Sequence, residues 1–87
     1  MDVVTIKLNS GEEVIARLLD KSGKTVVVKK PVCLSPGKEG FGMIPWMMSA
    51  DDERVEFNPN SIIAMSETIT EIGKKYIELT SGIQFAV

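Results

Sequence analysis

Apolar and polar positions alternate from the start of the chain. Val4, Ile6 and Leu8 are separated by Thr5 and Lys7, the period of two that sends successive side chains to opposite faces of a strand. Asn9-Ser10-Gly11 interrupts the alternation and reads as a turn. Val14, Ala16 and Leu18 resume it, while Ile15 and Leu19 make the other face apolar too. A strand of that kind is expected to be covered on both sides. Residues 20–24 read as a second turn, with Gly23 able to take positive φ. Thr25, Val26, Val27 and Val28 are β-branched and predict a third strand. It extends toward Leu34, with Pro31 marking an edge, bend or bulge.

The middle of the chain is less regular. Ser35-Pro36-Gly37 and Gly40-Phe41-Gly42 read as a loop. Residues 43–48 form a short apolar stretch interrupted by Pro45, and Asp51-Asp52-Glu53 an acidic turn. Val55 and Phe57 alternate with Arg54 and Glu56, predicting a short fourth strand. Asn58-Pro59-Asn60 is a tight turn, and residues 61–66 predict a fifth strand.

The period then changes. Thr68-x-x-Glu71 has the spacing of a capping box. Ile69, Ile72, Tyr76, Leu79 and Ile83 follow at intervals of three and four, one face of a helix. Glu71 and Lys75 support that helix from four residues apart, and Gly82 supplies a stop. Gly73 opposes it by about 1 kcal/mol. The competing reading is a hairpin that pairs residues 76–79 with 83–85 around Thr80-Ser81-Gly82.

Five short strands within so few residues predict a small, strongly bent barrel. The pattern Leu8-x-x-Gly11-x-x-Val14-x-Ala16-x-Leu18 resembles the first motif of the Sm and Sm-like (LSm) RNA-binding family. Phe57-Asn58-Pro59-Asn60-Ser61-Ile62-Ile63 sits where that family has its second motif. The chain looks most like compact, phage-borne marine Sm-like proteins. The resemblance covers residues 3–66 and implies a mainly β fold: a five-stranded antiparallel, SH3-like barrel. A C-terminal helix follows in this chain. The expectation is one Sm-like domain over residues 1–87, with the barrel over about 3–66 and the helix over about 68–81.

The chain also departs from the family pattern. Ala16 stands where the family usually has glycine. The family's loop here usually holds an acidic residue, then an apolar or aromatic one and an asparagine that clasp a base; Lys21-Ser22-Gly23-Lys24 has no aromatic and no asparagine. The family's usual N-terminal helix is not expected ahead of the first strand, and the C-terminal helix is expected to cover the barrel mouth instead.

Composition narrows the chemistry. The chain has 87 residues, no histidine, one cysteine and a net charge of −2. Histidine-based triads and metal sites are excluded, and Cys33 has no partner for an internal disulfide. No phosphate-binding glycine loop occurs. The charge gives no basic body for gripping duplex DNA. The expectation is therefore no enzyme, no cofactor and no metal. Asp51, Asp52 and Glu53 read as a solvated loop rather than a cation site. No signal peptide or membrane span is expected, and the lone cysteine fits a cytoplasmic location, the host cytoplasm if the protein is phage-encoded. Trp46 with Met43, Met47 and Met48 suits either packing under a long loop or an interface.

So short a chain, without disulfide or metal, leaves oligomerisation as the route to sufficient burial. Residues 61–65 carry no proline, lysine or charge to blunt edge pairing. Pairing that edge with the neighbour's fourth strand would close a ring of about five to seven subunits. Val55, Phe57, Ile62, Ile63 and Met65 are the expected interface. What the resemblance implies for such a ring is non-catalytic binding of single-stranded RNA through pore loops, in RNA regulation or processing. Lys21 and Lys24 would meet phosphate; Ser22, Asn58 and Asn60 would meet bases or riboses. For each, ordinary turn chemistry is the plainer explanation. The alternative function is a homo-oligomeric structural or protein-interaction module that binds no RNA.

Overall fold

The computed structural model describes residues 2–37 and 40–81. Its elements in chain order are β1 (Val3–Leu8), β2 (Glu13–Asp20), β3 (Val26–Gly37), β4 (Gly40–Pro45), β5 (Val55–Phe57), a 3-10 turn (Pro59–Ser61), β6 (Ile62–Glu67) and α1 (Thr70–Thr80). All strand pairs are antiparallel, in the order β4-β3-β2-β1-β6, with β5 also on β3.

The first hairpin follows the alternation. Val4 lies opposite Ala16 and Ile6 opposite Val14, so the apolar residues of both strands share one face. Gly11 closes the turn at φ +98°, where a side chain would be strained. Gly23, which is able to take positive φ, does not use it.

The described residues form six strands rather than five. The stretch that reads as a loop is the β3–β4 hairpin: Ser35 pairs with Gly42, Pro36 with Phe41 and Gly37 with Gly40. Proline and glycine break strands locally, but Pro36 sits near the hairpin tip, where one missing N–H costs little of the ladder. Gly40 turns the chain there at φ +116°. β3 is thus long enough to hold two partners along one edge, β5 on Val26–Val28 and β4 from Val32 onward.

One face of the curled sheet forms the core. Val4, Ile6, Leu8, Val14, Ala16, Val26, Val28, Val55 and Phe57 are buried together. Four strands can share one cluster only if the sheet bends back on itself, and Ala16, fully buried, keeps the bend narrow. Leu18, Cys33, Trp46, Ile62 and Met65 pack around it.

A second cluster lies on the opposite face. Val3, Ile15 and Val32 are buried there by Tyr76 of α1, with Ile72 and Ile77 alongside. The helix therefore covers the sheet's outer face, not the barrel mouth. Ile15, Val3 and Val32 make an apolar stripe outside the barrel, and burying it is what draws the helix there. Leu19 remains 47% exposed, so the two-sided covering of β2 ends before its last turn of chain.

The helix differs from its sequence reading in two ways. Its N-cap is Ile69, without a side-chain cap. Thr68 Oγ1 instead bonds Thr5 Oγ1 at 2.9 Å, which removes it from a capping box. Ile69 and Leu79 are 67% and 55% exposed. Ile69 precedes the helix in extended backbone, so helical period does not apply to it. Ile77 joins the inward face and rotates the buried arc away from Leu79. The helix also runs through residues 76–79, which removes the competing hairpin. Gly82 and Ile83 lie outside the described residues.

β3 carries a bulge. Ile15 faces Val32 and Arg17 faces Lys29, so β3 has one residue more than β2 between these pairs. Lys30 adopts φ +51° there, beside buried Pro31.

Candidate nucleic-acid interface

The loop between β2 and β3 is built by an aspartate turn. Asp20 Oδ1 accepts the backbone N–H of Ser22 at 2.9 Å and its hydroxyl at 2.7 Å. These bonds hold the Asp20 carboxyl below its ordinary pKa, the backbone bond contributing most. Ser22 is thereby engaged within the turn, while Lys21 and Lys24 are exposed.

The turn between β5 and β6 is built the same way. Asn58 Oδ1 accepts the N–H of Asn60 at 2.9 Å, and Asn58 O accepts the Ser61 hydroxyl at 2.6 Å. Asn9, from the β1–β2 turn, clamps it. Its Nδ2 donates to Asn60 O at 2.6 Å and its backbone N–H to Ser61 O at 2.8 Å. Sequence reasoning missed Asn9, because a lone asparagine in a turn cluster carries no sign of a partner 51 positions away.

The structure brings some of these groups together. Val26 lies opposite Phe57, so the chain leaves β5 at Asn58 beside Thr25, the neighbour of Lys24. Thr25 Oγ1 donates to Glu56 Oε1 at 3.3 Å across the same ladder. Lys21 lines a groove with Met65, Ser66 and Glu67 at the end of β6. The lysine loop therefore reaches from the end of β5 to the end of β6. Among the described residues, each of these strands has one edge paired and one open.

The side chains of Val55 and Phe57 point into the core, so the open side of β5 offers its backbone. Ile62 and Met65 are half-buried against the same core, whereas Ile63 is 63% exposed. Trp46 stacks on Phe57 with centroids 4.8 Å apart, and its indole N–H donates to Glu12 at 3.1 Å. Its ring belongs to the core's margin, while Met48 is exposed.

The acidic turn is not simply solvated. Lys30 Nζ lies 2.7 Å from Glu53 and 3.6 Å from Asp52, and Lys29 pairs with Glu53 at 3.4 Å. The hydrogen bond to Glu53 raises the pKa of Lys30, and the same bond lowers that of Glu53. The Cys33 thiol is pushed up by burial, the opposite of what a nucleophile needs.

Residues 5–77 match the family profile described as the Sm_like domain, a span running from β1 into α1. The chain belongs to the Sm-like family. No curated protein matches it. Sm-like proteins are generally non-catalytic and often bind RNA. In this Sm-like protein the bent antiparallel sheet is the family fold, and its one described α-helix lies after the sheet. No described helix is long and apolar enough to cross a membrane.

Proposed function

We propose that this Sm-like protein is a single-domain, cytoplasmic, ring-forming binder of single-stranded RNA without catalytic activity. The observation that supports this most is the placement of the Lys21–Lys24 loop between two open strand edges. Pairing β6 of one copy with β5 of the next would repeat that loop at every junction of a closed ring of about five to seven copies. A ring of lysines focuses positive potential even on a chain of net charge −2. Lys21 and Lys24 would neutralise phosphates. The Asn60 amide and the remaining donors of Asn58 would meet bases or riboses, with Ser22 accepting through its oxygen.

A titration of fluorescent uridine-rich and adenine-rich oligonucleotides at several salt concentrations tests this. Binding whose log affinity falls linearly with log salt is expected. No binding at low salt would favour the second reading, a ring that serves as a structural or protein-interaction module. That reading draws on the turn bonds that already occupy Ser22 and Asn58.

A further inference from the structure

Three cations meet at the bulge of β3. Arg17 lies directly opposite Lys29 in the β2–β3 register, and Lys30 is the next residue. Arg17 shares the outer face of the sheet with Ile15, two positions earlier on β2. Like charges directly opposite one another on paired strands repel. Glu53 answers both lysines, and Asp52 adds a second carboxylate at Lys30. Among the described residues, no carboxylate pairs with Arg17.

These side chains do not splay into open solvent. Arg17, Lys29 and Lys30 are half-buried and line one cavity of about 360 Å³, with Glu53 as the one carboxylate in the described lining. Buried Tyr76 and the end of α1 at Thr80 complete its walls. That volume lies at the small end of ligand sites, roughly 300–1,000 Å³. The C-terminal end of a helix repels an anion. Attraction for one therefore comes from the β2 and β3 side of the cavity, where half-buried charges are screened less than exposed ones.

We propose that this cavity binds a phosphate monoester, with Arg17 and Lys29 holding the phosphate. The Arg17 guanidinium offers a planar fork that meets two phosphate oxygens at once. Lys29, across the strand pair, adds a point charge. The ligand supplies the counter-charge that Arg17 lacks and turns a repelling pair into two arms of one site. Three cations against one carboxylate leave a surplus of two charges in the lining. That matches a monoester, which carries about −1.5 to −2 at neutral pH, better than a singly charged internal phosphodiester. Asp52 cancels part of the surplus at Lys30, so the contact falls to Arg17 and Lys29. Two sources share this chemistry: a free nucleoside monophosphate and the phosphorylated 5′ end of an RNA. The site lies on the helix-covered face and depends neither on the Lys21–Lys24 loop nor on a ring.

Calorimetric titration of the full chain at low salt tests it, with adenosine 5′-monophosphate, adenosine, and two oligonucleotides that differ only in a 5′ phosphate. The monophosphate should bind and adenosine should not. Arg17→Gln and Lys29→Gln should each weaken the monophosphate roughly tenfold or more. Arg17→Gln should not lower the urea midpoint, because it removes a repelling charge. Lys21→Glu with Lys24→Glu should leave monophosphate binding unchanged. A preference for the 5′-phosphorylated oligonucleotide that Arg17→Gln abolishes assigns the RNA end as the source. Monophosphate binding without that preference assigns the free nucleotide. If the monophosphate binds and neither oligonucleotide does, RNA binding fails while this site stands. Absence of monophosphate binding overturns the proposal, as does an affinity that Arg17→Gln leaves unchanged. Loss of monophosphate binding in the Lys21 and Lys24 variant would move the phosphate to that loop and overturn it too.

Discussion

The phenol oxygen of Tyr76 lies 2.8 Å from the carbonyl oxygen of Lys30, the residue that adopts φ +51° at the bulge of β3. The same hydroxyl lies 2.9 Å from the carbonyl of Lys29 and accepts the backbone N–H of Arg17 at 3.1 Å. The extra residue in β3 interrupts its ladder with β2, and the backbone groups left over need partners. One side chain from α1 supplies them. The helix is thereby tied to the sheet at the point where the sheet is irregular, so helix docking and bulge geometry depend on each other.

Tyr76→Phe keeps the ring and removes the partner of these half-buried backbone groups. It should cost about 1–3 kcal/mol. Tyr76→Ala should cost about 3–5 kcal/mol by emptying the second cluster. Urea unfolding of the two variants checks both values.

Burial raises the pKa of the Tyr76 hydroxyl above its ordinary value. The unfolded chain then releases this proton at lower pH than the folded one. Stability is therefore fully present below about pH 10 and declines as pH rises from there through the folded pKa. Urea midpoints measured across this range should fall for the natural protein, and fall less for Tyr76→Phe.

Lys30 occupies the left-handed region with a side chain attached. Lys30→Val should be markedly more destabilising than Lys30→Gly, by about 1–2 kcal/mol, since a β-branched residue tolerates that conformation worst. Both variants lose the pairs to Asp52 and Glu53 equally, so the difference between their unfolding midpoints isolates the backbone term.

Ile63→Lys places a charge on the open edge of β6 without touching the core, since Ile63 is exposed. Sedimentation equilibrium should show a ring for the natural protein and a folded monomer or smaller species for the variant. An unchanged mass would move the interface elsewhere.

Lys21→Glu with Lys24→Glu should abolish RNA binding and leave the assembly mass unchanged. Asn9→Ala should weaken binding less, by releasing Asn60 from its clamp. Fluorescence anisotropy with the same oligonucleotides, set beside the sedimentation data, separates a lost contact from a lost ring.

Much of the fold was legible in the chain. Alternation in Val4-Ile6-Leu8 and Val14-Ala16-Leu18 determines two strands and which faces meet, because a strand's period is local and a slip by one residue would expose every apolar side chain. Pro31 likewise announced the irregularity that became the bulge. Residues Lys21, Lys24 and Asn58 were recognisable as turn residues from their neighbours alone. The β3–β4 hairpin was not, since Pro36 and its glycines look like breakers until Phe41, Met43 and Ile44 arrive as partners. The capping box failed for a related reason: Thr5, 63 positions away, took the Thr68 hydroxyl. Nor does any spacing connect Asn9 to Asn60, or Tyr76 to Lys30. Local period and turn chemistry depend on residues close in sequence, whereas the helix's position, the clamp and the open edges depend on which distant groups satisfy one another once the sheet has curled.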